Sequence, residues 1–288
     1  MRGFNHVSGA CLFFIAIIGM ASPVGAQTFD RTLGGLSDAI QNTLNLNPRD
    51  VTDLKLGVGP SFNPAFEGSR DYKWQPVPVI SLQYRDVLRV NNNDIDFTAF
   101  DHVFNFDDGG KSKLEIGPSV NLDFGRSESA SRDLRGLGNV GFSLELGGYV
   151  SYTTAFAKLE LSFGHDVAGG HGGGMVDLNA STTLYRGEAF SVGLNGTLTL
   201  ATSKYLKSFF GITPAQSRAS GLPVFHPKGG LKDALVGVQA SYTFSPKIAL
   251  LAHVGYERLL GDAADSPLIQ QRGDANQMQA TTFVVYTF

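Results

Sequence analysis

Gln277–Phe288 reads QMQATTFVVYTF. Met278, Ala280, Thr282, Val284, Tyr286 and Phe288 fall on one face of an extended chain, and Gln279 and Thr281 fall on the other. A strand alternates its side chains with a period of two, so this segment can turn an apolar face to lipid and a polar face to an interior. The aromatics gather at its end, as in the closing strand of an outer-membrane β-barrel. Closure is what makes a sheet viable in hydrocarbon, because an open edge leaves peptide groups unpaired at several kcal/mol each. Tyr286 and the terminal Phe288 also have the form of an assembly signal read by barrel-assembly machinery.

The same alternation recurs upstream. Over 113–124, Leu114, Ile116, Val120, Leu122 and Phe124 share the lipid face, while Lys113, Glu115, Asn121 and Asp123 face inward. Over 142–152, Phe142, Leu144, Leu146 and Val150 point out and Glu145 in; over 155–166, Leu159, Leu161 and Phe163 point out and Lys158 and Glu160 in. These runs are about 10 to 12 residues, the length that crosses a bilayer at a tilt, whereas strands of soluble sandwiches average about 5 to 6. Strands are expected at 52–60, 75–84, 87–91, 94–101, 113–124, 142–152, 155–166, 174–185, 189–201, 233–244, 247–259 and 277–288. The fold class is therefore all-β, a transmembrane antiparallel up-and-down barrel of about twelve strands. Long connections at 61–74, 125–141, 202–232 and 260–276 alternate with tight turns at 85–86, 153–154, 186–188 and 245–246, which places both termini in the periplasm. Two connections break that alternation: 102–112 is long for a periplasmic turn and 91–93 short for an outer loop, so ten strands is the alternative count.

At the other end, residues 1–26 carry one charge, Arg2, an apolar run from Cys11 to Met20 and the exit Val24-Gly25-Ala26, the pattern of a signal peptide cleaved after Ala26. Cys11, the only cysteine, would leave with it, so the mature chain would hold no disulfide and no thiolate ligand. Removal of Arg2 moves the formal net charge from −3 to −4, which gives no basis for nucleic-acid binding. Residues 27–50 form an N-terminal periplasmic extension in which Leu33, Leu36, Ile40 and Leu44 make one helical stripe. Residues 51–288 make the barrel.

Sites for chemistry are sparse. His165 and His171 flank a glycine-rich run without a third imidazole or thiolate, so no metal site is expected. The glycines at 169–174 lack the Lys-Ser or Lys-Thr of a phosphate loop, and no G-x-S-x-G occurs, so no cofactor and no catalytic residue are expected. A barrel lipase would need a serine near His253, the best-placed histidine; otherwise His253 is polar filler. The candidate lumen residues are Glu115, Asp123, Glu145, Lys158, Glu160, His253 and Glu257, an acidic set that either favours cations in a narrow pore or packs as an ion-paired network. The connection 202–232 is basic, with Lys204, Lys207, Arg218, Lys228 and Lys232 and no acid. It either folds inward as a constriction or faces anionic lipopolysaccharide.

Several loop segments carry a family resemblance. PAFEGSRDY at 64–72, GRSES at 125–129, LRGLG at 134–138, GGHGG at 169–173, FFGITPAQSRASGLPVF at 209–225, GGLKD at 229–233 and YERLLGDAADSPL at 256–268 resemble the MipA/OmpV family. The runs from Phe209 to Asp233 and Leu259 to Pro267 are its specific parts. The resemblance implies a non-enzymatic outer-membrane barrel of a Gram-negative envelope. It also implies a scaffold that brings a lytic transglycosylase together with a murein synthase in peptidoglycan turnover; no catalytic residues come with it.

Overall fold

The computed structural model describes residues 52–106 and 110–288; the expected signal peptide and the helical stripe of 27–50 lie outside the described residues. Thirteen antiparallel segments form one sheet: β1 (Thr52–Pro64), β2 (Tyr72–Tyr84), β3 (Leu88–Asn91), β4 (Asp94–Phe97), β5 (Phe100–Asn105), β6 (Lys111–Asp123), β7 (Ser143–Thr153), β8 (Ala157–Asp166), β9 (Gly174–Arg186), β10 (Phe190–Ala201), β11 (Gly230–Ser245), β12 (Ile248–Leu259) and β13 (Asn276–Thr287). β4 and β5 both pair with β6 and are one strand interrupted at Thr98-Ala99. The barrel therefore has twelve strands, and β1 pairing with β13 closes it, Leu56 opposite Tyr286 and Phe62 opposite Ala280.

The wall has the predicted phase. Leu161, Leu178, Val236, Val254 and Val284 form an exposed aliphatic band. Aromatic pairs border it on both sides: Tyr242 with Phe244 at 5.0 Å and Tyr286 with Phe288 at 4.9 Å on the periplasmic rim, and Phe62 with Trp74 at 5.0 Å on the outer rim. Flat amphipathic rings favour the two membrane interfaces, so these girdles mark where the bilayer ends.

The two connections that broke the sequence pattern have one cause. β3 and β4 make a hairpin that stops part-way up the wall, so the Asn92-Asn93 turn never reaches the outside. Asn92 sits at φ 50°, a conformation asparagine tolerates, and stitches the tip to β2. Its N–H donates to Ile80 O at 2.8 Å, its Oδ1 accepts from Ile80 N–H at 2.7 Å and its Nδ2 donates to Pro78 O at 3.3 Å. On the other flank Leu122 N–H donates to Asn93 O at 3.1 Å. Above the tip, the edge of β2 has no partner strand among the described residues. Even-numbered residues of β2 turn their peptide groups to that edge, as Ile80 does, and two of them are Pro76 and Pro78. Proline has no N–H, so the sequence removes donors where the wall supplies no acceptor. The segment 102–112 is long because much of it is strand: β5 runs to Asn105 and β6 starts at Lys111.

The outer mouth is covered by the long connections. α1 (Ser203–Phe210) and α2 (Pro214–Ser220) come from 202–232, and α3 (Gly261–Ala264) and α4 (Pro267–Arg272) from 260–276. α2 starts at a capping box, with Thr213 and Gln216 bonding each other's backbone, and ends at Gly221 in the left-handed region. Tyr205, Leu206, Phe209 and Phe210 of α1 pack with Phe66, Leu134, Leu137, Ile212, Leu259, Leu268 and Ile269 into the larger apolar core. Side chains lock the loops together: Arg70 donates to Gly273 O at 2.7 Å, Arg272 to Asp133 O at 2.8 Å and Ser266 to Phe210 O at 2.7 Å. Arg126 is buried under this cap, 5.9 Å from the Phe209 ring, and burial pushes its guanidinium down to about 10, still protonated at neutral pH. A second, smaller cluster, Val77, Val79, Leu251, Phe283 and Val285, fills the lower lumen beside β1, β2, β12 and β13.

Candidate functional site: the capped polar lumen

The inward faces of β3, β4 and β6–β10 enclose a chamber of about 220 Å³. Its charged lining is six carboxylates, Asp94, Asp96, Asp123, Glu145, Glu160 and Asp177, against Arg89 and Lys158. The expected acidity of the lumen is thus present, and it is cross-braced. On the floor, Lys158 Nζ lies 3.0 Å from Glu160, and Arg89 lies 3.2 Å from Asp96 and 3.8 Å from Glu160. The guanidinium also lies 5.1 Å over the Tyr149 ring, whose hydroxyl is 3.0 Å from Thr98 Oγ1. Beside them Lys113 pairs with Glu115 at 3.0 Å. In a low-dielectric wall such a network holds strands at fixed separations as well as neutralising charge.

The roof of the chamber is built from the glycine-rich connection. Asp166 accepts four backbone N–H groups, from Ala168 at 2.9 Å, Gly169 at 3.0 Å, His171 at 3.0 Å and Gly172 at 2.7 Å. That folds 167–173 into a compact turn aiming His171 inward. Gly173 N–H donates to His171 Nδ1 at 3.0 Å, so the ring proton sits on Nε2, which donates to Glu145 at 2.9 Å. The imidazole meets the Tyr205 ring edge-on at 4.9 Å, and Ser208 Oγ donates to His171 O at 3.0 Å, which ties α1 to the acidic wall. Gly173 is required here, since a Cβ would fall 2.3 Å from Tyr205 N. His165 points to the outer face and is exposed, on the opposite side of the wall from His171.

A third cluster lies under the other half of the cap. Leu200 pairs with Leu231 but Thr199 with Asp233, a bulge that turns both Lys232 and Asp233 inward. Lys232 is fully buried, paired with Glu67 and, at 2.5 Å, with Asp233. It does not belong to the basic loop, as its neighbours in sequence suggested; it is a wall residue whose charge meets buried carboxylates. Glu67, Asp233 and Glu257 hold their oxygens within 4.8 Å of one another, a spacing that could ligate a cation, and the Lys232 ammonium supplies that positive charge. Glu257 also accepts from Gln279 Nε2 at 2.7 Å.

The remaining basic residues of 202–232, Lys204, Lys207, Arg218 and Lys228, are exposed on the outer surface, and the same segment's apolar face makes the cap. His253 is buried with its Nε2 3.2 Å from Asn195 Oδ1; among the described residues no serine hydroxyl or aspartate carboxylate bonds it. Arg89, Asp94, Asp96 and Asp177 are lumen residues that the sequence reading did not single out; Asp177, between Val176 and Leu178, had the clearest alternation signal. Glu67 was missed too, because it lies in a connection with no strand phase.

Closed antiparallel wall, paired aromatic girdles and a polar lumen together define an integral outer-membrane β-barrel. The chain belongs to the MltA-interacting protein MipA family, whose model matches residues 56–288. None of the curated proteins matches the sequence. Solved structures similar to it include the NanC porin, at 12% identity and TM-score 0.38, covering 83% of this chain and 100% of that one. The translocator domain of the autotransporter NalP from Neisseria meningitidis is similar at 10% identity and TM-score 0.38, covering 93% and 100%. The CymD monoaromatic hydrocarbon channel is similar at 12% identity and TM-score 0.35, covering 86% and 92%.

Proposed function

We propose that this barrel is a closed, non-enzymatic scaffold of the outer membrane, working in envelope maintenance alongside the machinery that builds and cuts murein. The observation that carries this reading is the filled mouth. A solute entering from outside meets the apolar core of α1 and the interlocked loops, and beneath it a chamber crossed by ion pairs. The family description, MltA-interacting protein, supports a murein transglycosylase as partner. A murein synthase as second partner rests on the family resemblance. Lys204, Lys207, Arg218 and Lys228 on the outer surface suit anionic lipopolysaccharide. Pull-down from cross-linked outer membranes tests the partner reading: the transglycosylase should co-purify with the intact barrel, and its absence under conditions that capture the barrel-assembly machinery would refute it. The competing channel reading draws on the 220 Å³ chamber and predicts stable conductance steps.

A further inference from the structure

A molecule meeting this barrel from the periplasm finds little to hold, because the wall turns over within two or three residues at 85–87, 154–156, 187–189 and 246–247. The exception is the β5–β6 hairpin. Thr98 N–H donates to Val87 O at 2.9 Å, so β5 begins level with the turn that ends β2 and carries on for six residues, about 20 Å. On its other flank Val103 lies opposite Lys113, and Lys113 opposite Thr153, the last residue of β7. Beyond Val103 the hairpin therefore stands clear of the wall on both sides. All six residues of β5 are exposed, those of the lumen face included, and Phe100, Val103, Phe104 and Phe106 are each 40–53% exposed. Contiguous exposed apolar surface of this kind, interleaved with Asp101, His102 and Asn105, marks a protein contact.

The edge of this hairpin is also competent to pair. Phe106 N–H donates to Gly110 O at 2.9 Å, so even-numbered residues of β5 turn their peptide groups to β6, and Asp101, Val103 and Asn105 turn theirs away from it. Among the described residues nothing pairs with that side. The upper edge, on β2, loses donors to Pro76 and Pro78, whereas FDHVFN keeps every N–H. We propose that β5 is the docking edge for the periplasmic partner: an extended segment of the murein transglycosylase adds to it as a further strand, held by the N–H and C=O groups of Asp101, Val103 and Asn105. The docking edge deepens the scaffold reading above and rests on it. On one face the added strand meets Phe100 and Phe104, so apolar residues belong there; on the other it meets Asp101, which lies opposite Glu115 on β6, so a basic residue belongs there. A second copy of this chain does not fit the edge. Copies in one membrane all run β5 toward the periplasm, so two of them cannot join these edges antiparallel.

Biolayer interferometry tests it, with the purified barrel in lipid nanodiscs titrated with the purified transglycosylase of the same organism. Val103→Pro removes an N–H from the open side and none from the β6 ladder, so it should weaken binding by roughly tenfold or more while the barrel keeps its heat-modifiable mobility. Glu188→Ala, in the exposed 187–189 turn, should bind as the unaltered barrel does. A photo-cross-linking residue at position 105 should capture the transglycosylase and one at position 188 should not, and this arm decides alone if Val103→Pro fails to fold. No binding by the unaltered barrel would overturn the scaffold reading and the docking edge with it. Binding undiminished by Val103→Pro in a folded barrel, capture from position 188 as efficient as from position 105, or position 105 joining two barrels instead, would overturn the docking edge alone.

Discussion

Leu161→Arg places a charge where the wall should be most intolerant of it. Leu161 is the fifth residue of the ten-residue β8, between Val150 and Leu178 on the neighbouring strands, and 49% exposed on the outer face. That is mid-membrane, where an arginine facing lipid costs about 2–4 kcal/mol, falling toward zero at the interfaces. The folding equilibrium should shift by about 30- to 700-fold. Its neighbour gives the internal control. Glu160 points inward, 3.0 Å from Lys158 and 3.8 Å from Arg89, with its side chain 20% exposed. Glu160→Gln keeps an acceptor there, and Arg89 retains Asp96, so the loss should stay under about 1 kcal/mol. Urea titrations of folding into lipid vesicles measure both variants. If Glu160→Gln proved costly and Leu161→Arg mild, the side-chain phase would be reversed and every inward residue named above would be misplaced.

Deleting Tyr286–Phe288 removes the last rung of the closing strand, including the Phe288 N–H bond to Leu54 O at 3.1 Å, and should leave the chain without heat-modifiable mobility on unboiled gels. Lys232→Met leaves buried carboxylates without their ammonium and should cost about 3–5 kcal/mol in the same titrations, with part restored by adding Glu67→Gln and Asp233→Asn. Asn92→Ala takes the acceptor from Ile80 N–H and should cost about 1–3 kcal/mol, read as a lowered urea midpoint at unchanged slope.

The alternation of β6, β7, β8 and β13 was legible because one face of each meets lipid, and a period of two leaves no ambiguity about which. The hairpin β3–β4 was harder to read. Four-residue strands carry too few alternations, and the turn that ends them part-way up the wall is set by Asn92 bonding β2, a tertiary contact without a sequence signature. The acidic lumen was visible as Glu115, Glu145 and Glu160, but their partners were only half visible. Lys158 lies two residues from Glu160 on the same face, whereas Arg89 reaches it from across the barrel. Lys232 was misread because composition groups it with the basic segment, and a single bulged residue at the top of β11 decides that it points inward. The apolar cap was hidden for a related reason: 202–232 is basic in composition, yet α1 sorts Tyr205, Leu206, Phe209 and Phe210 onto one side and Lys204 and Lys207 onto the other.

Planar-bilayer recording of the purified barrel tests the closed-scaffold account most directly, comparing the intact chain with a deletion of 215–228. The deletion removes α2, its bond from Gln216 to Leu137 O and two members of the apolar cap, Leu222 and Phe225, but leaves α1 tied to His171 and the rest of the core, Phe66, Leu134, Leu259 and Leu268 among it. The account predicts no stable steps from either protein, because the α1 cap closes the mouth and ion pairs brace the lumen beneath it. Stable single-channel steps from the intact barrel, with a cation preference that Glu145→Gln and Glu160→Gln reduce, would contradict it.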